Sequence, residues 1–366
     1  MTSSERDGAW MRAAVELAAR GRGRTAPNPC VGALVVKNGR VLAQARTADG
    51  GAPHAETRAL RKAGDSARGA TLYVTLEPCA HTGRTPPCVD AVIAARPRRV
   101  VVGMVDPDPR TAGRALRKLR RAGIEVTLGV EAAACAELHA GFVSRVTRGR
   151  PFTTLKLAAS LDGRIATASG ESRWITGLAA RAFVHELRAR VDAIAVGSAT
   201  VKSDDPELSA RRGRRVIHEP VRIAVDSRLV LPANAKLLRP SPHGSAIVLT
   251  SGRAPAARRG RLERAGVRVV EVPRRGAYLD LRAAWRALAG LGVNDLLVEG
   301  GGGLAAALLR SGLVDRMHFF VAPLLIGADG RPVLGELGVE RLARAFRPSR
   351  LSWHRLGPDL HAIAEW

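Results

Sequence analysis

The stretches Pro53-His54-Ala55-Glu56, Glu77-Pro78-Cys79 and Pro86-Pro87-Cys88 carry between them one imidazole, two thiols and a spare carboxylate. Zinc in a hydrolytic site takes three protein ligands and keeps its fourth tetrahedral position for water, and thiolates with a neutral imidazole suit it. His54, Cys79 and Cys88 would fill those three positions, with one zinc ion per chain. Glu56 is then left to act as a base, because a carboxylate beside an activated water can take its proton and pass it to a leaving nitrogen. The two cysteines stand nine positions apart, and the segment between them ends in two prolines that suit the turn into a helix whose first turn carries Cys88. A helix start also favours thiolate over thiol. Taken singly, each cysteine reads as a buried apolar residue and His54 as a loop residue. Taken together, with proline before three of the four groups, they point to a metal.

These groups must be positioned by the elements around them. Trp10, Ala13, Ala14, Leu17 and Ala18 recur at helical spacing and predict a helix over 7–20, stopped by the glycines and prolines of 21–29. A strand over 31–36, the tight turn Asn38-Gly39 and a return strand over 41–43 form a hairpin. A loop through Gly50-Gly51 then delivers Pro53-His54 to a helix ending near Ala63. The pattern continues with a strand over 71–76, a helix over 88–95, a strand over 99–104, a helix over 111–121, a strand over 124–128 and one continuous helix over 131–146. Such alternation implies a sheet covered on both faces, with ligands gathered at strand ends and helix starts.

Thr147 to Pro151 is short, polar and punctuated by glycine and proline, which places a domain boundary between residues 1–149 and 150–366. The second half repeats the alternation: strands over 153–159, 193–197, 221–225, 246–249, 267–271 and 295–299, with helices over 177–188, 256–265 and 280–289. The strand at 295–299 runs into Gly300 to Gly303 and a helix over 304–309. A glycine-rich turn of this kind lets backbone amides approach a pyrophosphate. A plain flexible loop explains four glycines equally well, and no acidic residue stands about twenty positions on, as the dinucleotide fingerprint asks.

A chain of 366 residues with 46% hydrophobic content is too long for one ordinary core and supports two. Four cysteines give no disulfide framework, no apolar leader opens the sequence, and no apolar run reaches eighteen residues, so a soluble protein of a reducing, cytoplasmic compartment is expected. The net charge of +25 raises nucleic acid as a partner. Only six of the 58 basic residues are lysine, and the arginines are spread through the chain, which reads as compositional bias. The densest run, Arg114 to Arg121, has Leu116 and Leu119 at helical spacing and no interleaved aromatics, as the solvated face of an amphipathic helix would. The expected partner is therefore a small anionic substrate, without nucleic acid or membrane, and the oligomeric state is left open.

With both halves laid out, the chain resembles the bifunctional pyrimidine deaminase/reductases of bacterial riboflavin biosynthesis. The resemblance rests on Pro27-Asn28-Pro29-x-Val31-Gly32-Ala33, the histidine and cysteine stretches above and the run Gly83-Arg84-Thr85-Pro86-Pro87-Cys88. In the second half it rests on Lys156-Leu157-Ala158-x-Ser160-Leu161-Asp162-Gly163-Arg164, Gly170-Glu171-Ser172-x-Trp174-Ile175-Thr176, Ser203-Asp204-Asp205-Pro206-x-Leu208 and Val298-Glu299-Gly300-Gly301. It implies an N-terminal cytidine-deaminase-like three-layer α/β/α domain and a C-terminal dihydrofolate-reductase-like α/β domain. It also implies two reactions on a phosphorylated ribosylaminopyrimidine: hydrolytic loss of a ring amino group, then reduction of the ribosyl chain to ribityl by NADPH.

By family position Ala158, Trp174, Thr200, Asp204, Ser227, Gly301, Gly302, Gly303 and Leu304 would line NADPH. Asn28, Lys156, Ser172, Arg188, Leu208, Arg211 and Glu299 would line substrate. Arginine forks such as those of Arg188 and Arg211 suit phosphate, Lys156 can donate to a sugar hydroxyl, and the Asn28 amide can read a ring edge. Where many relatives carry an aromatic residue or histidine before Pro53, this chain has Ala45-Arg46-Thr47-Ala48-Asp49-Gly50-Gly51. Two other classes compete: a deaminase of tRNA or free nucleosides with an unrelated second half, and a nucleic-acid-binding protein with structural zinc. The nine-residue cysteine spacing and the second half's own motifs oppose the first. A structural site would ordinarily show a fourth protein ligand, which opposes the second.

Overall fold

A computed structural model describes residues 2–83, 85–241 and 244–366. The chain divides into two compact units, residues 1–150 and 151–366.

The first unit is a five-stranded sheet in the order β2-β1-β3-β4-β5, built from β1 (Gly32–Lys37), β2 (Arg40–Arg46), β3 (Thr71–Val74), β4 (Arg99–Val102) and β5 (Glu125–Leu128). The hairpin strands β1 and β2 run antiparallel, as do β1 and β3, while β3, β4 and β5 are parallel. Side chains alternate across a strand, so each strand feeds two cores. Leu34, Val36, Tyr73 and Val101 meet Met11 and Ala14 of helix α1 (Ser3–Ala19) on one face. Val35, Leu72, Val74, Val100 and Val102 meet α2 (Ala55–Ala63), α3 (Cys88–Ala95) and α4 (Arg114–Arg121) on the other. The expected helix over 131–146 is two, α5 (Ala132–Leu138) and α6 (Ala140–Arg148), broken where His139 leaves helical geometry at φ −99° and ψ 8°. The side chain of His139 points inward, its Nε2 lying 3.1 Å from the Thr75 hydroxyl. Thr147 and Arg148, expected in a linker, form the last turn of α6, which Gly149 closes at φ +63°.

The second unit holds a nine-stranded sheet. From one edge the strands are 268–271, 246–250, 221–225, 193–197, 295–299, 152–160, 316–322, 359–365 and 350–356. The first seven are mutually parallel, 359–365 runs antiparallel to 316–322, and 350–356 runs antiparallel to 359–365. The chain starts near the middle, steps outward through 193–197 to 268–271, and returns to insert 295–299 between 152–160 and 193–197. The carboxyl ends of strands at such a reversal are where open α/β sheets bind ligands. Leu155, Leu157, Ala193, Ala195 and Val298 pack against Trp285 and Leu288 of the helix at 281–290 and Ala305 and Leu308 of the helix at 302–310. Trp285 is fully buried, and its indole N–H donates to the Thr153 hydroxyl at 2.8 Å. The helix at 178–188 lies over a further cluster that includes Phe320 and Ala158.

Beside that cluster two buried histidines, His318 and His361, share a hydrogen bond of 2.8 Å among Phe183, Phe320 and His354. Burial holds both neutral, pushing His318 down to about 3 and His361 to about 4. Unfolded histidines take up protons below about pH 6.5, so the unfolded state binds more protons from there down. The pair's contribution to stability is therefore present at neutral pH, shrinks below about 6.5 and is lost as pH falls through the folded values. The resistance of this unit to urea is expected to fall between pH 7 and pH 5. The double substitution His318→Phe with His361→Phe should flatten that dependence.

Candidate functional site

In the first unit two helix starts converge. His54 precedes the first residue of α2, Glu56 lies in that helix's first turn, and Cys88 is the first residue of α3. Cys79 enters on the loop after β3, and its sulfur accepts the backbone N–H of Cys88 at 3.2 Å. The His54 Nδ1 atom lies 3.2 Å from Cys88 Sγ and 3.7 Å from Cys79 Sγ, and all three ligand atoms fall within 4.8 Å of one another. One nitrogen and two sulfurs at this separation fit a single zinc ion with a position to spare. Cys79 is drawn down to about 4, first by the hydrogen bond Cys88 donates to it, while Cys88 is held up as the donor to an already charged sulfur. A dication would displace that shared proton, since both sulfurs must be thiolates to ligate.

Glu56 is only 3% exposed, and its Oε2 finds no hydrogen-bond partner among the described residues. Burial pushes it up to about 7, against the pull of His54. A buried carboxylate with one oxygen unpartnered, beside three candidate metal-ligand atoms, is equipped to exchange a proton. Asn28 stands on the other side of the imidazole: its Nδ2 donates to the Gly51 carbonyl at 2.7 Å and lies 3.5 Å from His54 Nε2. Gly51 has φ +87°, and a Cβ there would lie 2.7 Å from the Thr25 carbonyl, so the glycine of the unusual 45–51 stretch is what lets Asn28 sit close.

Sequence reasoning quoted Glu77 without giving it a task. It is 2% exposed, and its carboxylate accepts the backbone N–H groups of Gly113 (2.8 Å), Ala115 (3.0 Å), Asp106 (3.3 Å) and Leu116 (3.3 Å). The segment 103–113 thus lies against the cysteine loop, where the Thr111 hydroxyl accepts the Ala80 N–H and sits 3.2 Å from His81 Nδ1. The available signal was an acidic residue directly after the apolar run Thr71 to Leu76. Arg84 lies outside the described residues.

In the second unit the expected residues gather at the carboxyl ends of the inner strands. Glu299 and Lys156 are register partners on neighbouring strands. Arg188, from the helix at 178–188, grips Glu299 with both arms of its fork, Nε to Oε1 at 2.6 Å and Nη2 to Oε2 at 2.7 Å, and also donates to the Ser209 carbonyl. That fork, expected to face phosphate, is filled by a carboxylate. Burial alone would raise Glu299, but the charge and hydrogen bonds of Arg188 bring it below its usual range; burial lowers Lys156, with Glu299 opposing. Arg211 pairs with Glu207 and Ser209, and its backbone N–H donates to His185, a residue the sequence reading did not name.

The other expected positions differ in what surrounds them. Thr200 reaches the glycine turn, its hydroxyl accepting the Gly301 N–H at 3.1 Å. Gly301 caps the helix at 302–310 and Gly303 is open, while a Cβ on Gly302 would meet the backbone of 333–335 at 3.0 Å. Gly302 is therefore required by the passing chain, and Leu304 packs into the core. Trp174 is 68% exposed, with the Arg181 guanidinium 4.0 Å from its ring centre. The Asp204 carbonyl accepts from Arg173, the Ser227 carbonyl from Ser251, and Ser172 is half-buried. Ala158 lies under the helix at 178–188. Leu208 is 2% exposed within the core, at φ +58°, which leaves only its backbone for a ligand.

Fold and site define a zinc-deaminase domain joined to a reductase domain. Residues 4–104 match the family model of the cytidine and deoxycytidylate deaminase zinc-binding region, and residues 151–362 match the RibD C-terminal domain. The riboflavin biosynthesis protein RibD of Escherichia coli K12 is 42% identical, the alignment covering 97% of this chain and 98% of that one. The Aquifex aeolicus protein of the same name is 40% identical over 97% of both. A solved structure of Acinetobacter baumannii RibD superposes with a TM-score of 0.88 at 38% identity, covering 100% of this chain and 99% of that one. This chain belongs to the RibD family, the bifunctional deaminase/reductases of riboflavin biosynthesis. Among the described residues no helix is long and apolar enough to cross a membrane.

Replacing the base while keeping the ligands separates the two roles. Glu56→Gln is expected to retain zinc and to lose deamination by about 10²–10⁴-fold; Cys88→Ala should lose both. Metal content and ammonia release measured side by side check this, and zinc lost from the Glu56 variant would reassign the carboxylate as a ligand.

Proposed function

We propose that residues 1–149 deaminate a phosphoribosylaminopyrimidine and that residues 150–366 reduce its ribosyl chain with NADPH. What carries the first half is the convergence of His54, Cys79 and Cys88 on one point beside the unpaired carboxylate of Glu56. A solved Thermotoga maritima relative, 33% identical with a TM-score of 0.85 and covering 100% of this chain and 99% of that one, is titled a diaminohydroxyphosphoribosylaminopyrimidine deaminase and 5-amino-6-(5-phosphoribosylamino)uracil reductase, and it supplies the substrate class.

Zinc held by His54, Cys79 and Cys88 would act as a Lewis acid that makes water a nucleophile near neutral pH. Glu56 Oε2 takes the proton of the attacking water and returns it to the departing amino nitrogen. The Asn28 amide nitrogen is spent on Gly51, so its Oδ1 is the atom left to accept a ring N–H. In the second half NADPH supplies the hydride. Lys156 donates to the sugar, and Glu299, fixed by Arg188, orients the Lys156 ammonium. Arg211, at the exposed rim, takes the phosphate. The turn at Gly301 to Leu304, with Thr200, Ser227, Asp204, Trp174 and Ala158 around it, receives the cofactor; Ser172 and the Leu208 backbone complete the substrate side.

Two measurements test the assignment. Ammonia release and NADPH oxidation should separate when the chain is cut between 149 and 150, with the soluble C-terminal piece reducing the deaminated substrate without zinc. A soluble, zinc-loaded N-terminal piece that deaminates only when the other is added would show a shared site. The catalytic efficiency with NADPH should exceed that with NADH; equal efficiencies would refute the choice of cofactor.

A further inference from the structure

We infer that Glu77 is the positioning residue of the deamination site, holding Cys79 and the segment 103–113 in one fixed relation through the N-terminus of α4. The inference deepens the functional reading above and rests on Cys79 being a metal ligand.

The helix α4 (Arg114–Arg121) has no cap of its own: Gly113 occupies the cap position without a side chain, the first turn holds no acidic residue, and the last turn is basic. Four N–H groups at a helix start need acceptors, and a buried end without them is costly. Glu77 supplies them from a different element. Its Oε1 accepts from Ala115 and Leu116, the second and third helical residues, where a capping side chain would ordinarily reach. Its Oε2 accepts from Gly113 and Asp106. The backbone N–H of Glu77 in turn donates to the Met104 carbonyl at 3.0 Å. One residue thus binds both ends of the segment 104–116.

Two positions further along the chain is the Cys79 sulfur. The path from carboxylate to sulfur is Glu77-Pro78-Cys79, and Pro78 fixes its own φ, which leaves little slack. The next residue, Ala80, donates its N–H to Thr111, inside the segment Glu77 anchors. Cys79 is therefore clamped on its N-terminal side by Glu77 and on its C-terminal side by Thr111, both against the same wall. Hydrogen bonds to a charged acceptor are the strong ones, and those left unmade in a buried place cost most.

Glu77→Gln tests this, because the amide keeps the shape and one acceptor but turns an N–H₂ toward N–H groups. The full-length chain is loaded with Co²⁺ in place of zinc, and the sulfur-to-cobalt charge-transfer and ligand-field bands are recorded with zinc affinity by chelator competition. Glu77→Gln is expected to shift the ligand-field bands, weaken zinc by about 10–100-fold and lower the turnover number for deamination by a similar factor, as loss of a partner behind a ligand does. NADPH oxidation should be unchanged. Leu119→Ala, which empties a fully buried site in the same helix without touching Glu77, is the control for stability alone. If it moves the cobalt bands and zinc affinity as far as Glu77→Gln, Glu77 acts only through helix stability and the inference falls. Unchanged bands and affinity in Glu77→Gln overturn it as well. If Glu77→Gln does not fold, Glu77→Asp, which keeps the charge but reaches fewer amides, is judged by the same two readouts. A wild-type cobalt spectrum without sulfur charge transfer would instead overturn the ligand assignment on which the inference rests.

Discussion

Taking a carboxylate out of water costs several kcal/mol unless charges or hydrogen-bond donors replace the lost hydration. Glu77 and Glu56 are buried, and Glu299 largely so, beside the candidate sites, and each is compensated differently. Glu299 is neutralised by the Arg188 fork, with Lys156 alongside. Glu77 is solvated by four backbone amides. Glu56 has one oxygen with nothing against it. Glu299 and Glu77 hold their surroundings still, while Glu56 keeps one oxygen open to a proton.

Both units solve the placement problem in the same way. Parallel strands feed helices, and polar side chains gather at the junctions between strand ends and helix starts. In the first unit the starts of α2 and α3 bring His54, Glu56 and Cys88 together. In the second, insertion of the strand at 295–299 between two earlier ones sets Glu299 beside Lys156. Glycine takes on different tasks within this plan. Gly51 allows the close approach of Asn28, whereas Gly302 makes room for the backbone of 333–335.

Elements whose signal is local were legible. The strands at 193–197, 221–225 and 295–299 and the helix Cys88–Ala95 stand where apolar runs and proline punctuation put them. The ligand group was legible too, because proline, histidine and cysteine cluster within a short span. What escaped depends on partners distant in sequence. No glycine or proline marks the break at His139, which turns inward to Thr75. Arg188 looked free for phosphate because Glu299 lies 111 residues away. The last strands drew no expectation: 350–356 is exposed along nearly its whole length, so the alternation that betrays a half-buried strand is missing.

The helix α4 has five basic residues in eight and ends in two arginines, a composition with too much like-charge repulsion to favour a helix in isolation. It is nevertheless helical, since Leu116 and Leu119 pack into the core and an acid from another element terminates it. Its outward face is left to charged residues, of which Lys118 pairs with Asp90 at 3.6 Å. A lineage whose codons drift toward arginine can fill such a surface at little cost to structure.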